Sequence, residues 1–541
     1  MNSLRTELPS ASAMAPRLVV PRHDRGVLVD PPLAQLIDVV QENQSRLAGD
    51  ISIYGVSLRS WREETRAAVI AESLAYTASL VGDSVELHGN GPLIVTGHQP
   101  ELFHAGVWAK NFATTGLAQR AAGTSLNLII DNDTVATTRI KVPVGIWEAP
   151  GIEWIPFDST VPQRPWEEAT ISDSASFESF GRRVTDRIHE CWNYVPLIAT
   201  CWSAATRHSA VSRRLCDCLA AARVAVERSH GVRNLEVPMS RVCSTRPFHR
   251  FVAAILCDLP QFHENYNQIV RDYRRKHHLR STTHPVPELE SNGDWLEAPF
   301  WIWRAGDQRR DRPFARRVGD VIEVRDFRDV IARLPLKGGH ALDQGADVLQ
   351  GLANEKIRLR TRALTTTLFA RVFMADLFIH GIGGAKYDAM TDAICESLLG
   401  IPVPQFATIS ATAYPPLPTP FQVTDALLKS TEHQVRDVQY NPDRHLSDDG
   451  QALCRILVQQ KQQILKAIAG RHPTLVEHRQ LMEINSQLSA EAAAARTSLQ
   501  AGCDVMRDQL RANSVLKDRE FSWCLHPEAA LTSFLRTEFL G

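Results

Sequence analysis

A short loop at residues 97–106 carries several side chains that can do chemistry, and it directly follows an apolar run at 92–96. A histidine ring titrates near neutral pH, and a glutamine amide both donates and accepts hydrogen bonds. The helix expected to begin near Gly106 would direct free backbone N–H groups at the same space, which favours an anion. We predict substrate-orienting or proton-transferring groups here; the alternative is a tight turn capped by its second histidine. The catalytic candidates are His98, Gln99 and His104, with Gly97 as an anion-binding neighbour.

A pair of carboxylates follows a second apolar run, at residues 126–130. Asp131 and Asp133 are separated by one residue, and two carboxylates at this spacing suit a hard cation such as Mg²⁺. They would equally suit a substrate amine. The alternative is an Asx turn that leaves the strand. The sequence therefore predicts a cation or amine site, without identifying a metal.

A glycine-rich stretch at residues 381–386 follows a third apolar run, at 376–380. Glycines allow a ligand to approach the backbone closely, and a lysine near a helix start adds positive charge. The spacing is not that of a Walker A loop or of a dinucleotide-binding fingerprint. We predict an anion cradle formed by Gly383, Gly384 and Lys386, and a plain sharp turn is the alternative.

An aromatic and basic segment begins at residues 299–304, where two tryptophans are followed by many arginines. Arginine beside an aromatic ring could clamp an anion or stack on a base. Because the whole chain is nearly neutral, we expect instead a solvated face of an antiparallel meander over 299–325. The arginines concerned are Arg309, Arg310, Arg312, Arg316 and Arg317.

The order of the elements predicts how these groups are positioned. Each candidate loop follows an apolar run readable as a strand, and a helix follows at 107–120 and again at 387–399. Strand, helix and strand in about forty residues form a βαβ unit, which gives parallel strands. Ligands bind outside the carboxyl ends of such strands. We therefore predict that strands 92–96 and 126–130 are parallel, and that all three loops converge on one pocket.

The rest of the chain is expected to be largely helical. We predict a loosely held arm at the N-terminus and a long helix over 474–514 in a helical hairpin or coiled coil. The predicted fold class is α/β, with a Rossmann-like parallel-sheet core and connecting α+β segments. Further predicted elements are the arm at 1–30, helices at 31–47, 60–82, 205–228, 247–278 and 352–374, and a strand at 406–410. The predicted domains are 1–90, 91–425 with an insertion at about 160–345, and 440–541.

Composition excludes several classes of protein. The 541 residues include 60 Lys plus Arg and 61 Asp plus Glu, and this net charge of -1 argues against a nucleic-acid binder. No apolar run reaches the roughly 18 residues of a membrane span, and the N-terminus lacks a signal-peptide pattern. The 10 cysteines show no C-x-x-C pair. We therefore expect reduced thiols, a cytoplasmic location, no membrane association and a small-molecule substrate.

The motifs taken together resemble those of the bacillithiol synthase family of cysteine-adding enzymes. Residues 95–103 resemble the family's T-G-Q-Q-P-G-L-F element, and residues 131–133 stand where it has E-D-H-D. Arg362 and the stretch up to 384 resemble an R-P element, an apolar strand and a G-G-P-G-E turn. The chain departs from the family at His98, at Asn132 and at 385–388.

The resemblance implies both a fold and an activity. It implies a Rossmann-like, nucleotidyltransferase-like core and a C-terminal coiled coil that forms a homodimer. It also implies joining cysteine to a glucosamine-malate acceptor. As cofactors we predict ATP or ADP, with Mg²⁺ as a candidate ion for the aspartates, and we predict a substrate- or anion-binding role for Arg362. Two alternatives remain: a nucleotidyltransferase, because residues 103–106 faintly resemble H-x-G-H, and a dimeric ligand-binding scaffold without catalysis.

Overall fold

The computed structural model shows a mixed α/β protein, described over residues 18–87, 89–159, 163–283, 286–336 and 340–541. The first part of the predicted N-terminal arm lies outside these ranges. The strands are β1 (Gly26–Asp30), β2 (Ser52–Ile53), β3 (Val56–Ser57), β4 (Leu93–His98), β5 (Thr124–Ile129), β6 (Arg139–Ile146), β7 (Ala149–Pro156), β8 (Leu235–Pro238), β9 (Ser291–Asn292), β10 (Trp295–Glu297), β11 (Phe300–Arg304), β12 (Phe314–Val318), β13 (Val321–Arg325), β14 (Val330–Pro335), β15 (Ile357–Thr361), β16 (Leu377–His380) and β17 (Phe406–Thr412).

The helices account for most of the remaining described residues. They are α1 (Leu36–Leu47), α2 (Leu58–Val81), α3 (Ala105–Arg120), α4 (Ser174–Trp192), α5 (Ile198–Ser209), α6 (Leu215–Ser229), α7 (Met239–Val242), α8 (Arg246–Cys257), α9 (Leu259–Lys276), α10 (Ala341–Gly351), α11 (Ala363–Phe369), α12 (Ile382–Ile394), α13 (Asp425–Tyr440), α14 (Asp448–Leu453), α15 (Arg455–Ala467), α16 (Leu475–Glu491), α17 (Ala493–Leu516) and α18 (Glu528–Phe539). None of these helices is long and apolar enough to cross a membrane.

The central sheet has six strands in the order β1-β17-β16-β4-β5-β8. Five of them run parallel, and β1 pairs with β17 in the antiparallel direction at one edge. The predicted parallel pairing of 92–96 with 126–130 is confirmed, because β4 pairs with β5 from Leu93 opposite Thr124 to His98 opposite Ile129. Side chains of β4 and β5 are buried almost throughout, as expected for parallel strands covered on both faces.

A second sheet of five antiparallel strands, in the order β14-β13-β12-β10-β9, contains most of the predicted meander. β11 lies outside this sheet and pairs with β15, with Phe300 opposite Thr361 and Arg304 opposite Ile357. The predicted helix over 352–374 is therefore wrong in its first half. Its apolar residues fit a helical period, but a partner strand more than fifty residues away along the chain makes residues 357–361 extended.

The residues at which two of the predicted helices begin and end differ slightly from the predicted ones. Helix α2 begins at Leu58, after Ser57 as its N-cap, which is two residues before the start of the predicted helix at 60–82. It ends at Gly82, whose φ of 75° is a left-handed conformation that glycine adopts without strain. The long helix predicted over 474–514 is interrupted at Ala492, between α16 and α17.

The chain divides into two compact units. The larger unit consists of the described parts of 1–142, 154–416 and 519–541, and it holds the central sheet. The smaller unit, 143–153 with 417–518, holds α13 to α17 around a small apolar cluster that includes Ile484 and Leu488. This division differs from the predicted one, because residues 18–90 and the last 23 residues belong with the sheet.

Candidate functional site

A cavity of about 730 Å³ opens at the carboxyl ends of β4, β5 and β16, entirely within the larger unit. The loops that follow these three strands all contribute to its lining, as predicted. The candidate residues that line it are Gly97, His98, Gln99, His104, Asp133, Arg362, Gly383 and Gly384. Asp131 and Lys386 were also predicted to lie in the site, but neither lines the cavity.

The last residue of β4, at the edge of the cavity, is a neutral histidine. The ring of His98 packs edge-on against Phe103, and its Nδ1 donates to the carbonyl oxygen of Gln99 at 3.2 Å. Burial, together with the nearby charge of Lys110, lowers the pKa of His98 to about 3. His98 therefore stays neutral at physiological pH, where it can hold a ligand by a hydrogen bond but is poorly suited to carry a proton.

His104 occupies the cap of α3, which is the alternative considered from the sequence. Its Nδ1 accepts a hydrogen bond from the backbone N–H of Gly106 at 3.1 Å, and its Nε2 lies 3.4 Å from a carboxylate oxygen of Glu520. Gly106 is required at this point, because a Cβ there would lie 2.4 Å from the carbonyl oxygen of Ala411. His104 thus lines the cavity while it fixes the start of the helix.

The two predicted aspartates have separate environments, so they do not form a shared cation site. Asp133 accepts hydrogen bonds from Gln99 Nε2 at 3.1 Å and lies 3.2 Å from a guanidinium nitrogen of Arg310. Asp131 is completely buried and accepts from the backbone N–H and the hydroxyl of Ser240. Burial, followed by the negative charge of Glu167, raises the pKa of Asp131 to about 7. Among the described residues, no cluster of three or more His, Cys, Asp or Glu side chains could hold a metal ion.

Four cationic side chains line the cavity: Lys110, Arg310, Arg362 and Arg519. Lys110 is 3% exposed and donates to the carbonyl oxygen of Gly97 at 2.7 Å. Burial lowers the pKa of this amine to about 7. Arg519 donates to the carbonyl oxygen of Ala411 at 3.0 Å. Lys110 and Arg519 were not among the predicted site residues. The lysine lies in the second turn of the helix that follows the loop, and the arginine is more than 400 residues away.

Trp301 holds the other two cations in place. The guanidinium groups of Arg310 and Arg362 lie 4.4 Å and 4.7 Å from the centre of its indole ring, within the range of a cation–π interaction. Arg362 also pairs with the fully buried Glu297. The expectation that this aromatic and basic segment is a solvated face is therefore wrong for Trp301 and Arg310, which line the cavity.

The glycine-rich stretch forms the start of a helix and not an extended loop. Gly381 is the N-cap of α12, and Gly383 and Gly384 lie in its first turn beside the cavity. The side chain of Lys386 is exposed and does not line the cavity, whereas its backbone carbonyl accepts from the hydroxyl of Tyr273 at 2.6 Å. The helix start itself contributes free N–H groups, and the predicted lysine contributes no charge to the cavity.

The start of α12 and four cationic side chains thus surround one cavity that contains few carboxylates. This arrangement favours a small ligand with carboxylate or phosphate groups, because backbone N–H groups and guanidinium groups both match such oxygens. No protein-family model matches the chain. No curated protein sequence matches it either.

Proposed function

We propose that this protein is an enzyme that joins an amino acid, such as cysteine, to a small polar acceptor in the manner of the bacillithiol synthase family. The observation that carries the proposal is the convergence of three motifs on one cavity. The stretch beginning at Gly97, the aspartate at 133 and the glycines at 383–384 are far apart in sequence, and all three line it. Each also corresponds to a motif in the resemblance to that family.

The cationic lining supports an acceptor with carboxylate groups, as in a malate derivative. Arg310 and Arg362 are held against Trp301, so little conformational freedom would be lost when they bind a carboxylate. The amino acid's ammonium group would lie beside Asp133, the carboxylate that lines the cavity next to Gln99. The three departures from the family motifs lie in or beside this site, so we propose an acceptor of the glucosaminyl malate type that carries carboxylate groups.

ATP or ADP fits the same donor set through its phosphate groups. Lys110, Arg519 and the N–H groups at the start of α12 would bind phosphate oxygens, and the nucleotide would supply the activation that amide formation needs. A resident Mg²⁺ does not fit, because Asp131 is turned into the protein and Asp133 is then the single carboxylate among the described residues that line the cavity. We propose that any Mg²⁺ arrives bound to the nucleotide.

We propose in addition that the sheet is the family's Rossmann-like core and that the C-terminal helices form a hairpin that dimerises the protein. Five parallel strands with helical crossovers support the first part. For the second part, α13, α16 and α17 pack on one another, and the smaller unit exposes large apolar side chains such as Leu475 and Val476. Apolar side chains on a helical surface favour association with a second copy.

The direct test is incubation of the protein with L-cysteine, glucosaminyl malate and Mg-ATP, followed by mass spectrometry of the products. We expect a new amide-linked product together with phosphate and ADP, or AMP and pyrophosphate. An Arg310→Ala variant should lose the product. Lys386→Ala is the matched control, because this lysine is exposed outside the cavity, and it should retain activity.

The alternatives give different results in the same experiment. Transfer of the nucleotidyl group to the acceptor, with release of pyrophosphate and without an amide product, would establish the nucleotidyltransferase alternative. Binding of these compounds by calorimetry without any turnover would establish a ligand-binding scaffold. Absence of both binding and turnover would reject the proposal. Thermal unfolding detects binding independently, because a ligand at 100 times its Kd should raise the free energy of unfolding by about 2.7 kcal/mol.

A further inference from the structure

A histidine that the sequence analysis did not select, His380, lies in the wall of the same cavity. It is the last residue of β16, is 4% exposed and packs against the rings of Phe378 and Phe406. Its Nε2 lies 2.9 Å from the Oδ2 atom of Asp388 on α12. Because a carboxylate accepts, this contact places the proton of the neutral ring on Nε2 and leaves Nδ1 as the basic nitrogen.

The carboxylate of Asp388 is fixed and charged. It is buried and pairs with Arg371, which in turn contacts the carbonyl oxygen of Pro404 and lies 2.8 Å from Asp392. Burial acts to raise the pKa of Asp388, but His380 and Arg371 outweigh it and bring the pKa to about 2. Asp388 therefore remains ionised and holds the imidazole in one orientation.

The free nitrogen faces the first turn of α12, where the chain has a glycine. A Cβ on Gly384 would lie 2.8 Å from His380 Nδ1, inside van der Waals contact. A Cβ on the adjacent Gly383 would meet no atom within 4 Å. The absence of a side chain at 384 therefore keeps Nδ1 accessible, and this observation is independent of the ion pair behind the ring.

We infer that His380 is the general base of the site and that Asp388 is the residue that positions it. This inference rests on the proposed function. The acceptor's amine attacks the acyl carbon of the amino acid, activated as a mixed anhydride by a nucleoside triphosphate, and forms the C–N bond. The phosphate or nucleotide leaves with the C–O bonding electrons, and the proton of the attacking nitrogen passes to Nδ1. His98, kept neutral by burial, orients the ligand.

The first arm of the test needs no turnover. The full-length protein, labelled with ¹⁵N in its histidine rings, is observed by NMR at pH 8, and His380 is assigned from its loss in His380→Gln. We expect the Nε2–H tautomer and a shift of the Nδ1 signal when inorganic pyrophosphate is added. Gly384→Ala should displace the Nδ1 signal in the free protein, whereas Gly383→Ala, the matched control, should leave it in place.

The second arm measures turnover in the cysteine-joining assay. His380→Ala should lower kcat by roughly 10²–10⁴-fold with little change in KM, because proton transfer acts in the chemical step. Exogenous imidazole should restore part of this rate, but it should not restore the rate of Arg310→Ala. Asp388→Asn should lower kcat and disturb the tautomer. Circular dichroism and thermal unfolding establish that each variant is folded.

The outcomes separate the two proposals. A rate in His380→Ala within about threefold of the parent protein would overturn the inference and leave the proposed function intact. An Nδ1–H tautomer, or an Nδ1 signal unaffected by pyrophosphate, would overturn it in the first arm even if no substrate is turned over. Absence of turnover in the parent protein would reject the proposed function alone.

Discussion

Lys110 is a buried residue whose amine, among the described residues, donates a hydrogen bond only to the backbone carbonyl of Gly97. Within the described residues no carboxylate lies at ion-pair distance from it, and burial lowers the pKa of its amine to about 7. An ordinary lysine would be charged throughout the physiological range. This residue instead changes its charge at the wall of the cavity at a pH that cells reach.

We predict that anion binding weakens as pH rises through about 7. Below this pKa the amine of Lys110 is charged and attracts an anion, and above it the amine is neutral. Sulfate is a suitable probe, because its own charge does not change between pH 6 and 8.5. Its affinity should fall by about tenfold or more, equivalent to one hydrogen bond to a charged group of ~1.5–3 kcal/mol. Calorimetry on Lys110→Met should show the low affinity at every pH; an unchanged pH dependence would contradict the assignment.

Gln99 and Arg310 should act as a unit, because both contact Asp133. We predict that Gln99→Ala and Arg310→Ala each weaken pyrophosphate binding and that the double variant departs from additivity by about 0.5–3 kcal/mol. Calorimetry on the two single variants and the double variant measures this coupling. The control cycle pairs Gln99→Ala with Lys386→Ala and should be additive within about 0.5 kcal/mol. Additivity in the first cycle would mean that Asp133 does not link the two side chains.

The elements that build the site were predictable where the chain signals them locally. Apolar runs followed by glycine and polar residues indicated β4, β5 and β16, so the convergence of their loops could be expected. β15 could not be recognised, because its extended conformation depends on pairing with β11. Arg519 could not be placed either, since nothing in the nearby sequence indicates that it contacts Ala411. His380 was visible as the end of a strand, but its partner Asp388 becomes its neighbour only once α12 forms.

The start of α3 is a close contact between elements, and it gives a prediction about stability. A methyl group at Gly106 would meet the carbonyl of Ala411 at 2.4 Å and the guanidinium of Arg519 at 2.5 Å. We therefore expect Gly106→Ala to destabilise the protein by about 1–3 kcal/mol, the usual cost of overpacking. Urea unfolding measures the change. Gly351→Ala is the control, since a Cβ there meets nothing within 4 Å, and equal effects of the two substitutions would refute the steric explanation.

At the scale of the whole molecule, the proposed dimer can be tested without removing any segment. The smaller unit exposes Leu475 and Val476 at 80% and 65% of their surface. If these helices join two copies, light scattering should give twice the chain mass of 60.3 kDa. The double substitution of Leu475 and Val476 by Glu should then give the mass of one chain, because charges would be buried at the interface.

A matched control for this prediction lies in the larger unit. Val211 is 79% exposed, so Val211→Glu introduces a charge at a similarly exposed valine away from the C-terminal helices. It should leave the mass of the assembly unchanged. A single-chain mass for the unaltered protein, or a dimer that survives the double substitution, would remove the dimer from the proposal.

The return of residues 519–541 to the larger unit has a consequence for biosynthesis. The backbone N–H of Trp523 donates to the carbonyl of Phe103 at 2.8 Å, and Ser522 pairs with His104 in an isolated antiparallel β-bridge. Arg519 lines the cavity. Translation supplies the loop at 97–104 early and these partners more than 400 residues later. A nascent chain can therefore form much of its sheet while the cavity still lacks one wall. A complete site therefore requires that synthesis has passed residue 519, and a chain terminated before this residue lacks part of the cavity wall.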